Sequence, residues 1–285
     1  MTSRFDHLIH KHATKQRRRI APGMILTAAA FVAATLFLAA FGTAEAHDPS
    51  EDGSAVLACA GSGTLAPRTG AAPVSRTASA GDCELTVSVQ AAANAASTCQ
   101  ISYTPTAMDG GYDVAVFASG DCDGVQIRTA LTVDDVGDTP SALAYTQSSG
   151  SRAALSKIYG HEVLALPMFF HYSRAEWYWT NNLITSASPY IDRWPNANWH
   201  IHTNESDDGA FYSNGNSTYS AWVFTSFHSD GYPTSQFPDV WAESEVQINV
   251  HAGGGYDCDF DFEWTGGEGN YPNLHYHTQC WASPQ

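Results

Sequence analysis

The segment 257–264 alternates polar and apolar residues without interruption, and this pattern constrains the fold more than any other feature of the chain. Its sequence is DCDFDFEW. Successive side chains of a β-strand point to opposite faces, so the acids take one face and Cys258, Phe260, Phe262 and Trp264 take the other. The segment is therefore predicted to be a strand in a sheet that buries one of its faces.

Shorter runs of the same kind recur along most of the chain. Each is bounded by Gly, Asp, Asn or Pro, which favour turns. The pattern predicts an all-β fold, with a small disulfide-stapled β domain followed by an aromatic-rich antiparallel β-sandwich. Residues 173–183 could form a helix, although no capping residue favours one. The predicted strands are 84–90, 99–103, 112–118, 125–133, 163–172, 199–203, 219–228, 240–251, 258–265 and 274–281.

Aromatic residues divide the chain into two regions of different composition. All eight tryptophans lie between Trp177 and Trp281, whereas four of the six cysteines lie between Cys59 and Cys122. A small domain with few large apolar side chains needs covalent links, while a domain rich in Trp and Phe can rely on its core. The expected units are a loose Ala/Gly/Ser-rich segment at 47–82, a small β domain at 83–135, a linker at 136–152 and the sandwich at 153–285.

The first 46 residues have the organisation of a secretory signal peptide. Basic residues at 11–19 precede an apolar run at 24–41, and Ala44 and Ala46 form an A-x-A cleavage site before His47. Because the apolar run is longer than usual for a signal peptide, an uncleaved N-terminal anchor is the alternative. The sequence thus predicts a secreted protein, extracellular or in the cell envelope, with no membrane segment after cleavage.

An even number of cysteines in an exported chain indicates that they are paired in disulfides. A bond between Cys99 and Cys122 would close a hairpin around the turn-rich segment 105–111, which leaves Cys59 to pair with Cys83. This is one of three connectivities open to the first four cysteines.

The last two cysteines, Cys258 and Cys280, set a predicted register for a C-terminal hairpin. If they are bonded as directly opposed residues of two antiparallel strands, every other pair is fixed. The register matches aromatic residues on one face and places acids opposite histidines on the other. The opposed pairs are Phe262 with Tyr276, Glu263 with His275, and Asp261 with His277.

The polar face of this predicted hairpin has two interpretations. One is a solvated face whose charges match across the strands. The other is a divalent metal site, because imidazole and carboxylate groups together suit zinc, copper or iron. A second H-x-H pair lies in the segment NWHIHT. The candidate metal ligands are His200, His202, His275, His277, Asp261 and Glu263.

Sequence motifs of the common enzyme classes do not occur in the chain. It has no G-x-S-x-G, no P-loop and no dinucleotide-binding fingerprint. His161 and Glu162 begin the H-E-x-x-H pattern of zinc proteases, but residue 165 is Ala, so the pattern is incomplete. The sequence therefore identifies no catalytic residue and argues against an enzyme.

The balance of charges limits the partners that this protein can bind. It has 13 Lys and Arg against 29 Asp and Glu, a net charge of −16. Nucleic acids and anionic membrane surfaces both require basic patches, so neither is an expected partner.

Aromatic residues in polar, turn-like stretches indicate a binding surface. Rings beside Asn, Asp and Ser can stack on sugars or contact a protein. The candidates are Tyr190, Trp194, Tyr212 and Tyr232. We therefore expect a secreted non-catalytic binding protein without a cofactor, whose ligand is a glycan or a cell-surface partner. The alternatives are a metal-binding protein or metal-dependent hydrolase that uses the His/Asp/Glu cluster, and a structural envelope component.

Overall fold

Fifteen β-strands make up nearly all of the chain that the structure describes, which confirms the all-β prediction. The structure is a computed structural model, and it describes residues 61–80, 83–92, 98–133, 149–161, 167–196, 199–229, 240–265 and 274–283. The strands are β1 (Gly63–Leu65), β2 (Val74–Ala80), β3 (Cys83–Ala91), β4 (Gln100–Met108), β5 (Gly111–Ser119), β6 (Val125–Val133), β7 (Ser149–His161), β8 (Pro167–Thr180), β9 (Leu183–Pro195), β10 (His200–Ile201), β11 (Asp207–Ser213), β12 (Thr218–Ser229), β13 (Val240–His251), β14 (Tyr256–Thr265) and β15 (Leu274–Ala282).

The strands form two antiparallel sheets. Sheet A has the order β1-β4-β5-β15-β7-β8-β9, and sheet B has the order β10-β12-β13-β14-β6-β3-β2. Strand β11 pairs with β12 at the edge of sheet B. Along most strands the side chains alternate between buried and partly exposed, so each sheet has an inner face and an outer face.

Aromatic rings from the two inner faces meet in the core. Phe262 of β14 stacks on Tyr276 of β15 with 4.3 Å between ring centroids, and Phe169 of β8 stacks on Phe227 of β12 at 4.5 Å. All four rings are buried. Because each pair joins a strand of sheet A to a strand of sheet B, the two sheets pack face to face as a sandwich.

Strands from the two regions of different composition share both sheets. Strand β6 lies between β3 and β14, and β5 pairs with β15. Residues expected to form a small domain and a separate sandwich therefore build one pair of sheets. Within the expected loose segment, residues 63–65 and 74–80 are strands. Residues 149–152 of the expected linker begin β7. Residues 47–60 and 136–148 lie outside the described residues.

Two of the predicted disulfides are present. Cys99 is bonded to Cys122, and the bond closes the β4–β5 hairpin as expected. Cys258 is bonded to Cys280. Cys83 is also disulfide-bonded, but its predicted partner, Cys59, lies outside the described residues, as does the predicted signal peptide at 1–46.

The predicted pairing of the last two strands is wrong, although their disulfide is right. Strand β14 pairs with β13 and β6 in sheet B, and β15 pairs with β5 and β7 in sheet A. The Cys258–Cys280 bond therefore joins the two sheets instead of two neighbours in one sheet. Phe262 and Tyr276 do meet, but they meet across the core.

The segment 173–183 is a β-hairpin and not a helix. Strand β8 runs through Thr180 and turns into β9 at Asn181 and Asn182, whose φ angles are 51° and 63°. Asn tolerates this left-handed conformation, which tight hairpin turns require. In the part of the chain that the structure describes, no helix is long and apolar enough to cross a membrane.

Candidate metal centre

Three histidines come together on the outer face of sheet A. His275 of β15 lies directly opposite His161 of β7. His277 is two residues further along β15, so its side chain leaves the same face of the strand. The H-x-H spacing and the antiparallel register are therefore enough to place three imidazoles side by side.

The three rings are close enough to share one metal ion. Their centroids are 4.1 Å apart for His161 and His275, 4.9 Å for His275 and His277, and 5.1 Å for His161 and His277. One ligand atom from each ring lies within 4.8 Å of the other two. Among the described residues this is the one group of three His, Cys, Asp or Glu side chains that meets this criterion.

A carboxylate fixes the orientation of one imidazole. Asp113 lies on β5, the strand next to β15, and its Oδ2 is 2.7 Å from Nδ1 of His277. The contact holds the ring with Nδ1 toward the acid, which leaves Nε2 as the nitrogen available to a metal. Most metal-binding histidines have such a carboxylate or carbonyl partner on their other ring nitrogen.

The surroundings of the three rings favour a neutral imidazole at His275. Burial, followed by the neighbouring His161 and His277, lowers the pKa of His275 to about 4, while Asp113 opposes the shift. Metal ions bind the neutral form of histidine, so His275 needs no deprotonation at neutral pH before it can bind a metal.

Two aromatic side chains flank the three histidines. The ring of Tyr159 stacks on His277 with 4.7 Å between centroids, and the edge of Phe117 contacts His275 at 6.0 Å. Burial, followed by the negative charge of Asp113, raises the pKa of Tyr159 to about 12, so this hydroxyl stays protonated at neutral pH.

The other predicted H-x-H pair lies in sheet B. His200 of β10 is opposite His228 of β12. The ring of His202 contacts Trp241 edge-on, and its Nδ1 is 3.5 Å from Glu205. His200 lies in sheet B and His202 directly follows its strand, whereas His275 and His277 lie in sheet A, and the two H-x-H pairs do not converge.

The two predicted acidic ligands also lie in sheet B. Asp261 and Glu263 are on β14, where they are opposite Glu245 and Glu243 of β13. The expected Asp261–His277 and Glu263–His275 pairs are absent because β14 and β15 lie in different sheets.

Two residues of the metal centre were not among the predicted ligands. His161 carries a signal in the sequence, since it begins an incomplete zinc-protease motif, but that motif is helical and His161 ends a strand. Asp113 is an ordinary acid in a strand, and no local pattern distinguishes it. Both reach the site through the pairing of β15 with β7 and β5, strands that are far from it in the sequence.

Two of the four aromatic residues that were predicted to form a ligand-binding surface lie beside the metal centre. Tyr190 and Trp194 are on β9 and project from the outer face of sheet A with Phe170 and Tyr172 of β8. Phe170 and Trp194 stack at 5.4 Å, and the centroids of Tyr172 and Tyr190 are 5.9 Å apart. We call these four residues the aromatic row. Phe170 is opposite Tyr159, so the row begins next to the three histidines.

The other two aromatic residues of the predicted ligand-binding surface are not in this row. Tyr212 lies on β11, its hydroxyl accepts a hydrogen bond from the backbone N–H of Ala187, and its ring contacts Tyr219. These contacts give Tyr212 a role in joining β9 to β11. Tyr232 lies outside the described residues.

Comparison of the chain with protein-family models, with curated proteins and with solved structures finds no match.

Proposed function

We propose that this protein binds a transition-metal ion, zinc in the first place, through His161, His275 and His277. The observation that supports the proposal is the meeting of three imidazole ligand atoms within 4.8 Å on adjacent strands. Because the histidines are on paired strands, the sheet preorganises them. Asp113 acts as a positioning residue that holds the His277 ring.

The three imidazoles His161, His275 and His277 would hold the ion, and three protein ligands are the number that catalytic zinc sites use. A zinc ion held by His161, His275 and His277 would lower the pKa of a bound water molecule and would supply a nucleophile at neutral pH. The proposed activity is accordingly a metal-dependent hydrolysis or hydration.

The disulfides of the described chain are compatible with an extracellular protein, and we propose that it acts after secretion.

Metal analysis of matched histidine variants tests this proposal. The purified, tag-free protein is stripped with a chelator, titrated with Zn²⁺ by calorimetry, and compared with H275A and H200A. We expect one zinc per chain in the unmodified protein and in H200A, and loss of this binding in H275A. H200A is the matched control because it removes one histidine of the other H-x-H pair.

A visible absorption spectrum of the Co²⁺-loaded protein adds a second readout, because tetrahedral Co²⁺ absorbs strongly and octahedral Co²⁺ does so weakly. Zinc uptake that is absent, or that H275A and H200A reduce equally, would contradict the proposal.

The aromatic row supports glycan binding as a second candidate function. Tyr190 is 59% exposed and Trp194 is 38% exposed, which leaves ring surface free for stacking. Arg174 and Glu176 form an ion pair on the same face and can donate and accept hydrogen bonds there. The position of the row beside the histidines would hold a sugar chain next to the metal.

Affinity electrophoresis of the protein in gels that contain different polysaccharides tests this candidate. W194A should lose the retardation that the unmodified protein has in at least one gel. F211A is the control, because Phe211 is an exposed ring of β11 outside the aromatic row. Equal mobility of the unmodified protein and W194A in every gel would count against a glycan ligand.

A further inference from the structure

One lysine lies between the three histidines and the aromatic row. Lys157 is on β7, opposite Gln279 of β15 on one side and opposite Tyr172 of β8 on the other. It is two residues from Tyr159 along β7, so both side chains leave the outer face of sheet A. Lys157 is the only lysine in the sequence after residue 15. Its place in the sheet therefore puts a rare positive charge beside the site.

Two aromatic ring faces hold the ammonium group of Lys157 in position. Its Nζ is 5.0 Å from the centroid of the Tyr159 ring and 5.1 Å from the centroid of the Phe170 ring. Such faces attract an ammonium group electrostatically. Tyr159 also stacks on His277, and Phe170 also stacks on Trp194 of the aromatic row. The ammonium therefore lies at the junction of the metal centre and the row.

A metal ion in the three histidines would make this junction positive. Burial lowers the pKa of Lys157, whereas the Asp113 carboxylate and the two ring faces favour the charged ammonium. A second acid of this face, Asp192, is opposite Tyr172 on β9, and it accepts a hydrogen bond from the backbone N–H of Arg193. The charges of a zinc ion and of Lys157 together exceed those of the two carboxylates. An anionic group therefore complements the junction, although the whole chain is acidic.

We propose that Lys157 binds a carboxylate of the substrate, and that the substrate is an acidic sugar chain built of uronate units. This inference rests on the metal centre and the glycan surface proposed above. The aromatic row offers ring faces on which sugar rings can stack, and the ammonium can donate charge-assisted hydrogen bonds to a carboxylate. A neutral sugar in the same place would remove water from the ammonium without compensating its charge, which is costly. Lys157 is accordingly a specificity-determining residue.

Calorimetric titration of the zinc-loaded, full-length protein with matched oligosaccharides tests this inference. Tetragalacturonate and its methyl ester have the same backbone and differ in charge, and tetramannuronate and its methyl ester form a second such pair. We expect at least one of the two acids to bind about tenfold or more tightly than its ester, the effect of one hydrogen bond to a charged group. The same titrations of the chelator-treated protein separate the contribution of Lys157 from that of the metal.

Three variants locate the preference for the acid. K157Q should bind the acid and its ester with similar Kd values while it keeps the zinc stoichiometry of the unmodified protein. R76Q is the matched control, because Arg76 is an exposed cation on β2 of sheet B, and it should keep the preference. W194A should weaken the binding of acid and ester alike, since stacking on a ring does not depend on the charge of the sugar.

A charge-conserving variant and an NMR signal provide a second test if K157Q does not fold. K157R should keep the preference for the acid, because a guanidinium also binds carboxylates. Reductive ¹³C-methylation labels lysine amines and keeps their charge, and the signal of Lys157 is the one that K157R lacks. This signal should shift when the acid is added and should stay unchanged when the ester is added.

The inference and the metal centre fail in different ways. Zinc uptake with equal affinities for acid and ester, or a preference that K157Q and R76Q reduce equally, would overturn the role of Lys157 and leave the metal centre intact. A preference that K157Q abolishes in a protein that takes up no zinc would contradict the metal centre and support the role of Lys157. If none of the four oligosaccharides binds, the inference is overturned.

Discussion

At the level of single residues, the metal centre depends on which ring nitrogen each histidine offers. The Asp113 carboxylate is 2.7 Å from Nδ1 of His277, which leaves Nε2 as the nitrogen available to a metal. Without this contact the ring could turn, and the three ligand atoms would no longer be held together before a metal binds. The carboxylate is therefore predicted to contribute to affinity without contacting the metal.

The variant D113N tests this positioning role. Loss of such a partner of a metal-binding histidine typically weakens metal affinity by about 10- to 100-fold. We expect D113N to bind zinc with the same stoichiometry as the unmodified protein and with a Kd raised by that factor. If calorimetry gives the same Kd for both proteins, Asp113 does not position the ring.

A different histidine, His171, belongs to the core. It is fully buried between the sheets, with Nδ1 2.9 Å from the Thr225 hydroxyl and Nε2 2.8 Å from the Ser244 hydroxyl. Burial, and secondly the charge of Arg193, lowers the pKa of His171 from 6.5 to about 3. The imidazole is therefore neutral in the folded protein wherever the pH is above this value.

This low pKa predicts how stability changes in acid. As the pH falls below 6.5, the unfolded chain takes up a proton on His171 that the folded protein does not, so the free energy of unfolding decreases. The loss continues until the pH reaches about 3. Between pH 7 and pH 4.5 it amounts to about 2 kcal/mol.

Urea unfolding at several pH values measures this effect. H171Q replaces the imidazole with an amide that does not titrate, so its free energy of unfolding should decrease less between pH 7 and pH 4.5 than that of the unmodified protein. Equal decreases for the two proteins would show that His171 is not the group responsible.

At the level of strands, the alternation of polar and apolar residues predicted which segments are β-strands but could not predict which strands pair. The run 257–264 is a strand with the expected apolar and polar faces. The same apolar face fits a hairpin with β15 or a sandwich in which β15 faces it across the core, because both arrangements bring Phe262 and Tyr276 together. The pairings of β14 with β13 and β6, and of β15 with β5 and β7, decide between the two arrangements. Of these partners β6, β5 and β7 are distant in the sequence, so local patterns carry no signal of their pairing.

The strands that sequence patterns missed are those with small or polar side chains. Strand β7 reads SGSRAALSKIYGH and begins in what resembles a linker, and β9 reads LITSASPYIDRWP, with few apolar residues at alternate positions. Each of these two segments is a strand because its backbone pairs with the neighbouring strands, and not because its own side chains alternate. For the metal centre the consequence is that the H-x-H of β15 was predicted as a metal ligand pair, whereas His161 on β7 was not.

Packing between the sheets predicts a large difference between two phenylalanine substitutions. Phe262 is buried against Tyr276 and Phe169, so F262A should reduce the free energy of unfolding by about 3–5 kcal/mol. Phe211 is 47% exposed on the edge strand β11, and F211A should reduce the free energy of unfolding much less. Denaturant unfolding of both variants measures this contrast, and similar losses would contradict the assignment of Phe262 to the core.

At the level of the whole molecule, the sandwich separates two kinds of chemistry onto opposite outer faces. Sheet A carries the three histidines and the aromatic row, whereas the outer face of sheet B carries the acids Glu243, Glu245 and Glu263.

A crystal structure of the zinc-loaded protein, with an anomalous difference map recorded at the zinc absorption edge, tests the metal centre most directly. If His161, His275 and His277 hold the ion, the map has one strong peak about 2.0–2.1 Å from a nitrogen of each of these three rings. A strong peak at His200 and His202 instead, or no peak between the three rings, would contradict the metal centre described here.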